Sequence, residues 1–204
     1  MRVRVLRLVL GAAIFGSFVT ACGPSEPKRV LSGPPAPAVT GSAVPFTPVP
    51  QPVDLAKFDD DPCGLLTGEQ VAAVVTDPPD DVKPRRLSNT VSVGCAWNTW
   101  RSPLVTVEKP IHDPLTLTEL KNTGRRKSGA FDPWTEVSVA GLPAVVFHEM
   151  RGPDNCDVAV GVTDDAMLIF SFHGNGSTST YWDKDRCGGV LKTAEFVIGN
   201  LRNR

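Results

Sequence analysis

The sequence predicts an α+β domain, a two-layer sandwich in which an antiparallel sheet carries two or three helices on one face and two disulfides join the layers. Three observations support this prediction. Short apolar runs alternate with turn-forming stretches over the middle of the chain. A long helical stripe lies near the end of the chain. Four cysteines lie in the same part of the chain, an even number that suits paired bridges.

Composition places the chain among globular proteins with an additional unfolded segment. It has 204 residues, of which 41% are hydrophobic and 21% are charged, with 18 Gly and 19 Pro. These values exclude a fibrous protein and a protein with several membrane spans. Because 21 basic residues balance 22 acidic ones, the chain lacks the basic surface that binds nucleic acid. We therefore expect no nucleic-acid partner.

The first 21 residues have the pattern of an export signal. Three arginines precede an apolar run over 8–21, which is shorter than the ~20 residues of a membrane-spanning helix. The run ends in Val19-Thr20-Ala21-Cys22, which resembles the lipobox where bacterial lipoproteins are cleaved and lipidated. We therefore expect residues 1–21 to be a lipoprotein signal peptide and Cys22 to carry the lipid. The alternative is an ordinary secretory signal with an incidental cysteine.

Residues 22–53 continue from this cysteine as a proline-rich stalk. Nine of the 31 residues from 23 to 53 are proline, and most of the others are Gly, Ser, Thr, Ala and Val. Proline removes a backbone donor and favours extended structure, so we expect a disordered linker without a core. The lipid would then hold the protein on the extracytoplasmic face of the cell membrane.

Residues 54–204 are long enough to form a single domain. This part contains Cys63, Cys95, Cys156 and Cys187, which an exported protein is expected to pair in disulfides. Four cysteines allow three connectivities. The pairs Cys63–Cys95 and Cys156–Cys187 close the shortest loops, so we expect these two bridges. The crossed pairings remain as alternatives.

The elements of the domain follow in order along the chain. Thr67-Gly68-Glu69-Gln70 is a capping-box pattern that opens a short helix. A second helix, capped at Thr116, is predicted over 115–127. Strands are predicted over 90–100, 104–107, 137–139, 144–150, 156–162 and 167–172. Because short loops join most of these strands, the sheet is predicted to be antiparallel, with its second face open to solvent or to a partner.

The last predicted element is a helix over 183–201. Its apolar residues recur at helical spacing and form one stripe, which consists of Cys187, Val190, Leu191, Ala194, Val197, Ile198 and Leu201. Gly188 and Gly189 weaken the first turn. We expect this stripe to bury itself against the sheet.

The cysteines stand in motifs, which are Asp61-Pro62-Cys63-Gly64-Leu65-Leu66, Cys95-Ala96-Trp97, Cys156 and Cys187. These motifs resemble those of an actinobacterial lipoprotein family, which is catalogued as domain of unknown function 3558. The resemblance covers roughly residues 55–200. It implies a lipid-anchored, exported protein with this cysteine layout, and it implies no activity because the family has no assigned chemistry. Trp97 shares a strand face with Cys95 and is expected to be a core residue.

No sequence pattern defines a catalytic or metal site. His112, His148 and His173 are dispersed and lack the spacing of metal ligands. Ser171, His173 and Asp183 supply the residue types of a hydrolase triad, but no Gly-x-Ser-x-Gly elbow is present. We therefore expect no catalytic residue, no metal and no cofactor, and the ligand-binding residues stay unknown.

The sequence favours a non-catalytic binding or interaction module of the cell envelope, which serves an envelope ligand or a protein partner. A cell-wall-acting enzyme with an unrecognised site and an accessory subunit of an envelope complex are the alternatives. If the protein binds a ligand, we expect a closed apolar pocket between sheet and helices. If it is an enzyme, we expect a cleft with convergent titratable groups. If it is an accessory subunit, we expect an exposed apolar patch.

The Cys22→Ala variant tests the lipid anchor. Without the thiol, we expect no diacylglycerol mass on the N-terminal peptide and no cleavage before residue 22, as measured by mass spectrometry. Ser25→Ala in the predicted stalk is the control, and it should be processed and partition into detergent like the wild type. If Cys22→Ala is cleaved and partitions like the wild type, the lipid anchor is refuted.

Overall fold

The computed structural model describes residues 46–75, 82–98, 104–126, 134–148, 155–173 and 186–203. All of them belong to the unit Gly33–Arg204. The predicted signal peptide, Cys22 and residues 23–45 of the predicted stalk lie outside the described residues, so these predictions stay as they are.

Seven strands form one antiparallel sheet in the described part of the chain, which confirms the predicted fold class. The strands are β1 (Arg85–Ser88), β2 (Ser92–Trp97), β3 (Leu104–Pro110), β4 (Thr135–Val139), β5 (Leu142–Phe147), β6 (Cys156–Gly161) and β7 (Met167–His173). Their order across the sheet is β1-β2-β3-β7-β6-β5-β4. Two meanders of consecutive strands therefore meet where β3 pairs with β7.

Helices precede, interrupt and follow the strands. They are α1 (Ala56–Asp60), a 3-10 helix (Pro62–Leu65), α2 (Gly68–Val74), α3 (Leu117–Arg126) and α4 (Arg186–Arg202). The predicted capping box opens α2, because Gln70 N–H donates to Thr67 Oγ1 at 3.3 Å and Thr67 N–H donates to Gln70 Oε1 at 2.9 Å. The predicted cap of α3 also forms, with Glu119 N–H donating to Thr116 Oγ1 at 3.2 Å.

Strand β1 and helix α1 are not predicted by the sequence patterns. The residues of β1 are Arg-Arg-Leu-Ser, without alternating apolar side chains, and the strand lies at an edge of the sheet. Arg86 of β1 donates to the backbone oxygens of Asp60 at 2.8 Å and Asp59 at 3.1 Å. Because the last carbonyls of a helix lack partners within the helix, this arginine fastens the edge strand to the end of α1.

Helices α1, α2 and α4 cover one face of the sheet, here called the first face. The stripe of α4 is buried as predicted, and its buried residues are Val190, Leu191, Ala194, Val197, Ile198 and Leu201. They share one core with Phe58 of α1, Val74 of α2 and Phe170 of β7. Trp97 is buried in the same core, as predicted. Burial of each large apolar side chain contributes about 1.5–3 kcal/mol.

Helix α3 lies on the opposite face of the sheet, here called the second face. Its Leu117 and Leu120 pack against Ala159 and Met167, which alternate along β6 and β7 with the residues of the first face. Gly161 allows the close approach, because a Cβ there would lie 3.2 Å from Leu117 Cδ1. The second face, predicted to be open, is therefore partly covered by α3.

Both disulfides have the predicted local pairing. Cys63–Cys95 joins the 3-10 helix to β2, and Cys156–Cys187 joins β6 to α4. The bridges span 32 and 31 residues. In the chain-entropy model each destabilises the unfolded chain by about 3–4 kcal/mol. Each bridge thus joins a helical segment to a strand of its own half of the sheet.

The folded domain begins before the predicted boundary at residue 54. Val49 and Val53 are 5% and 3% exposed and belong to the first-face core. Val49 N–H donates to Asp164 Oδ1 at 2.6 Å, and Val53 N–H donates to Val162 O at 2.9 Å. The prolines around these valines predict a stalk, but the valines keep their donors and apolar side chains. Residues 46–53 therefore belong to the domain.

The Val53→Ala variant tests this correction. We expect it to lower the free energy of unfolding by about 1.5–3 kcal/mol, because two buried methyl groups are lost and a cavity remains. The measurement is urea denaturation of the full chain. The control is Thr47→Ala, an exposed position in the same segment, where we expect little change. Equal stabilities of the two variants would show that the segment does not belong to the core.

Candidate functional site: a polar groove on the second face

A groove with a volume of about 520 Å³ lies on the second face of the sheet. Strands β2, β3, β6 and β7 form its floor, and α3 with the segment before it forms one wall. The lining residues are Val91, Ser92, Glu108, Pro110, His112, Asp113, Pro114, Leu120, Thr123, Phe147, Asp157, Ile169, Ser171 and His173. The groove therefore crosses the junction between the two meanders.

Strand register places buried polar residues side by side at the floor. Thr106 of β3 pairs with Ser171 of β7, and Ser171 pairs with Asp157 of β6. Paired residues of antiparallel strands point to the same face, so these three residues form a polar row across the sheet. They are 4%, 7% and 4% exposed, respectively. Such burial requires hydrogen-bond partners to offset the desolvation of the polar groups.

The hydroxyl of Thr106 is buried and has no hydrogen-bond partner among the described residues. A buried hydroxyl left without a partner costs about 1–3 kcal/mol. Thr106 points to the same face as Ser171, which lines the groove. The polar row therefore keeps an unused donor and acceptor beside the groove.

A chain of hydrogen bonds holds the carboxylate of Glu108 in the groove. Asn89 Oδ1 accepts from the backbone N–H groups of Val91 and Ser92, both at 2.8 Å, in the turn between β1 and β2. Asn89 Nδ2 donates to Ser92 Oγ at 3.3 Å, and Ser92 Oγ donates to Glu108 Oε2. An asparagine that binds the backbone of its own turn rigidifies the turn, so Glu108 has a fixed position.

Gly94 lies directly opposite Glu108 in the pairing of β2 with β3. A Cβ at Gly94 would lie 1.9 Å from the backbone oxygen of Val107 and 2.9 Å from Glu108 Cα. No side chain fits at that distance, so the close approach of the two strands requires glycine. Glycine thereby leaves the space beside the Glu108 side chain open.

Apolar residues form the mouth of the groove and part of its walls. Val91 is 60% exposed and Ile111 is 40% exposed, and they are the large apolar side chains exposed in the described part of the chain. Ile111 N–H donates to Val91 O at 2.9 Å, so the two residues lie together. Leu120 and Phe147 contribute apolar wall surface. The groove therefore combines a polar floor with an apolar rim.

The charged groups of the groove are predominantly acidic. Glu108, Asp113 and Asp157 supply carboxylates, and the described lining residues include no lysine or arginine. His112 and His173 are the basic groups in the lining. This composition disfavours anionic ligands and suits a ligand that donates hydrogen bonds or carries positive charge.

The structure brings together residues that the sequence leaves dispersed. His112 and His173 line the same groove, together with Ser171. Asp183, the third residue available for a triad, lies outside the described residues. Pairing between strands that are distant in sequence brings these groove residues together. The sequence signal that could have indicated the groove floor is a polar residue between two apolar residues of a strand, such as Thr106 between Val105 and Val107.

His148 lies apart from the groove, at the Cys156–Cys187 disulfide. Its Nε2 is 3.7 Å from Cys187 Sγ, and the ligand atoms of His148, Cys156 and Cys187 lie within 4.8 Å of one another. Metal binding by cysteine requires the thiolate, which a disulfide sulfur does not supply. We therefore assign no metal site to this cluster.

The fold and the groove define a disulfide-bridged α+β domain that carries a polar cavity on its sheet. Over residues 17–200 the chain matches the family described as "Protein of unknown function (DUF3558)". The chain belongs to this family, which the motifs around its cysteines indicated. Comparison with curated proteins gives no match, and neither does comparison with solved structures. Among the described helices, none has the length and apolar composition to span a membrane.

The Gly94→Ala variant tests the close approach of β2 and β3 beside the groove. We expect a loss of about 1–3 kcal/mol in the free energy of unfolding, because the new Cβ overlaps the backbone of β3. The matched control is Gly68→Ala in α2, where a Cβ meets nothing within 4 Å and alanine favours the helix. Chemical denaturation measures both. A Gly94→Ala domain as stable as the control would contradict the strand geometry.

Proposed function

We propose that this protein is a lipid-anchored envelope protein whose domain binds a small polar ligand in the groove of the second face, without transforming it. One observation carries the proposal. In the described part of the chain, four of the five buried polar or charged residues lie on the second face, and they are Ser92, Thr106, Asp157 and Ser171. The hydroxyl of Thr106 has no hydrogen-bond partner among the described residues, and because an unpaired buried hydroxyl is costly, a ligand that reached it would supply a favourable partner.

The size and chemistry of the groove support a polar ligand. Its volume of about 520 Å³ falls within the roughly 300–1,000 Å³ that is typical of small-molecule sites. A closed apolar pocket between sheet and helices was the expectation for a ligand binder, whereas this groove has a polar floor. The hydroxyls of Thr106 and Ser171 suit hydrogen bonds to polar groups of a ligand.

Two features support a location outside the cytoplasm. The disulfides Cys63–Cys95 and Cys156–Cys187 suit an oxidising compartment. The predicted export signal ends at residue 21, directly before Cys22, and the family match starts at residue 17 and so includes this cysteine. A lipid on Cys22 would attach the domain to the extracytoplasmic face of the membrane, through residues 23–45. We propose an envelope molecule as the ligand for this reason.

Retention of small molecules tests the proposed function. The full chain is incubated with an extract of small molecules from the envelope of the source organism, and retained molecules are released by denaturation and identified by mass spectrometry. We expect the wild type to retain a polar molecule and to release it chemically unchanged. A released molecule that has been chemically altered would favour the enzyme alternative.

Two groove variants and one control make this experiment specific. Ser171→Phe fills the floor and His173→Trp narrows the half-buried end, so both should lose the retained molecule. Ser138→Phe, an exposed position on β4 of the same sheet, should retain it. Circular dichroism checks that each variant is folded. Undiminished retention by both folded groove variants would refute binding in the groove.

A further inference from the structure

Glu108 is a half-buried carboxylate, and its partners among the described residues leave one of its oxygens unused. Ser92 Oγ donates to Oε2, and no other hydrogen bond or ion pair reaches the Glu108 side chain from the described residues. The position of Glu108 is nevertheless fixed, because the hydrogen bonds of Asn89 hold Ser92. A positioned carboxylate with a free oxygen in a groove is a site for a donor that arrives with the ligand.

The lysines nearest to the groove in sequence bind elsewhere. Lys109 follows Glu108 along β3, so its side chain points to the first face, where it pairs with Asp59 and lies 5.9 Å from the ring centroid of Phe58. Lys121 follows Leu120 in α3, but it pairs with Glu136 and lies 5.2 Å from the ring centroid of Phe46. Neither lysine therefore neutralises Glu108.

From this geometry we propose that the groove recognises a ligand with a protonated amino group attached to an apolar body, and that Glu108 is the residue that selects the charge. This inference rests on the proposed binding function of the groove. An ammonium group carries three donors and no acceptor. Glu108 Oε1 supplies a charged acceptor, and the hydroxyl oxygens of Thr106 and Ser171 supply neutral acceptors on the same sheet face.

The apolar body of the ligand is matched by the rim and walls of the groove. Val91, which lines the groove, and its hydrogen-bonded neighbour Ile111 expose apolar surface. Leu120 and Phe147 add apolar surface to the lining. Asp113, exposed near the mouth, adds a second negative charge that attracts a cation. A small aromatic or alkyl ammonium ion therefore matches both the negative charge and the apolar surface of the groove. A carboxylate of the same shape would be repelled by the negative charge of the groove.

Three probes of similar shape separate the effect of ligand charge on affinity from the effect of hydrophobic contact. They are benzylammonium, benzyl alcohol and benzoate. Each is titrated into the full chain in nonionic detergent, and the shifts of the Ser92, Glu108 and Ser171 amide resonances are followed by NMR. We expect benzylammonium to bind at least about tenfold more tightly than benzyl alcohol, because a hydrogen bond to a charged group is stronger than a neutral one. Benzoate should bind most weakly.

Glu108→Gln is the decisive variant, because glutamine keeps the shape and still accepts from Ser92. It should reduce the affinity for benzylammonium about tenfold and leave the affinity for benzyl alcohol unchanged. Glu69→Gln is the matched control, since Glu69 is exposed on α2. It removes the same charge from the chain without touching the groove, so all three affinities should match the wild type.

The outcomes separate this inference from the proposed function. If benzylammonium binds no more tightly than benzyl alcohol, or if Glu108→Gln and Glu69→Gln behave alike, charge selection by Glu108 is refuted while binding in the groove stands. Absence of benzylammonium binding at millimolar concentration also refutes it. Binding in the groove itself is refuted by a different result, which is no retained molecule in the wild type or undiminished retention of envelope molecules in Ser171→Phe and His173→Trp.

Discussion

The pairing of β3 with β7 is the constraint on which the rest of the structure depends. It joins residues 104–108 to residues 169–173, which are far apart along the chain, and it turns two separate meanders into one sheet. Such a pairing has a large entropic cost of closure, and the buried residues of both faces offset it. The groove exists because of this junction. Thr106 and Glu108 come from one meander, and Ser171 and Asp157 come from the other.

The two faces of the sheet have different chemical character, and strand alternation produces both from one sequence. Along β7, Phe170 and Phe172 point into the first-face core, whereas Ser171 and His173 line the groove. The first face supplies most of the apolar burial and both disulfides. On the second face, α3 forms a wall of the groove and packs beside it on apolar residues such as Met167. The main apolar core and the polar groove thus lie on opposite sides of the same strands.

Local patterns in the sequence predicted what depends on local interactions. The capping box at Thr67, the apolar stripe of α4 and the short disulfide loops each involve residues close in sequence, and the structure confirms all three. Strand β1 was not predicted because its residues show no apolar alternation, and Arg86 contacts α1, which is distant in sequence. Residues 46–53 were not assigned to the domain because the residues they dock on lie beyond residue 160. The groove residues were not predicted because they come from strands that are distant in sequence. Alternation shows which residues of one strand share a face, but it does not show which strands are neighbours.

The docking of residues 46–53 determines where mechanical load would enter the domain. Val53 hydrogen-bonds to Val162 next to the β6–β7 turn, and Arg202 at the end of α4 donates to the backbone oxygen of Gln51 at 3.3 Å and to that of Ala140 at 2.6 Å. In a tethered protein, a pull on the N-terminal side of this segment would first strain these bonds. The load would pass into α4 and the β4–β5 turn, within the half of the sheet that contains the second disulfide. Strands β2 and β3 lie outside that path, so tension on the tether would not displace Glu108, which lies on β3.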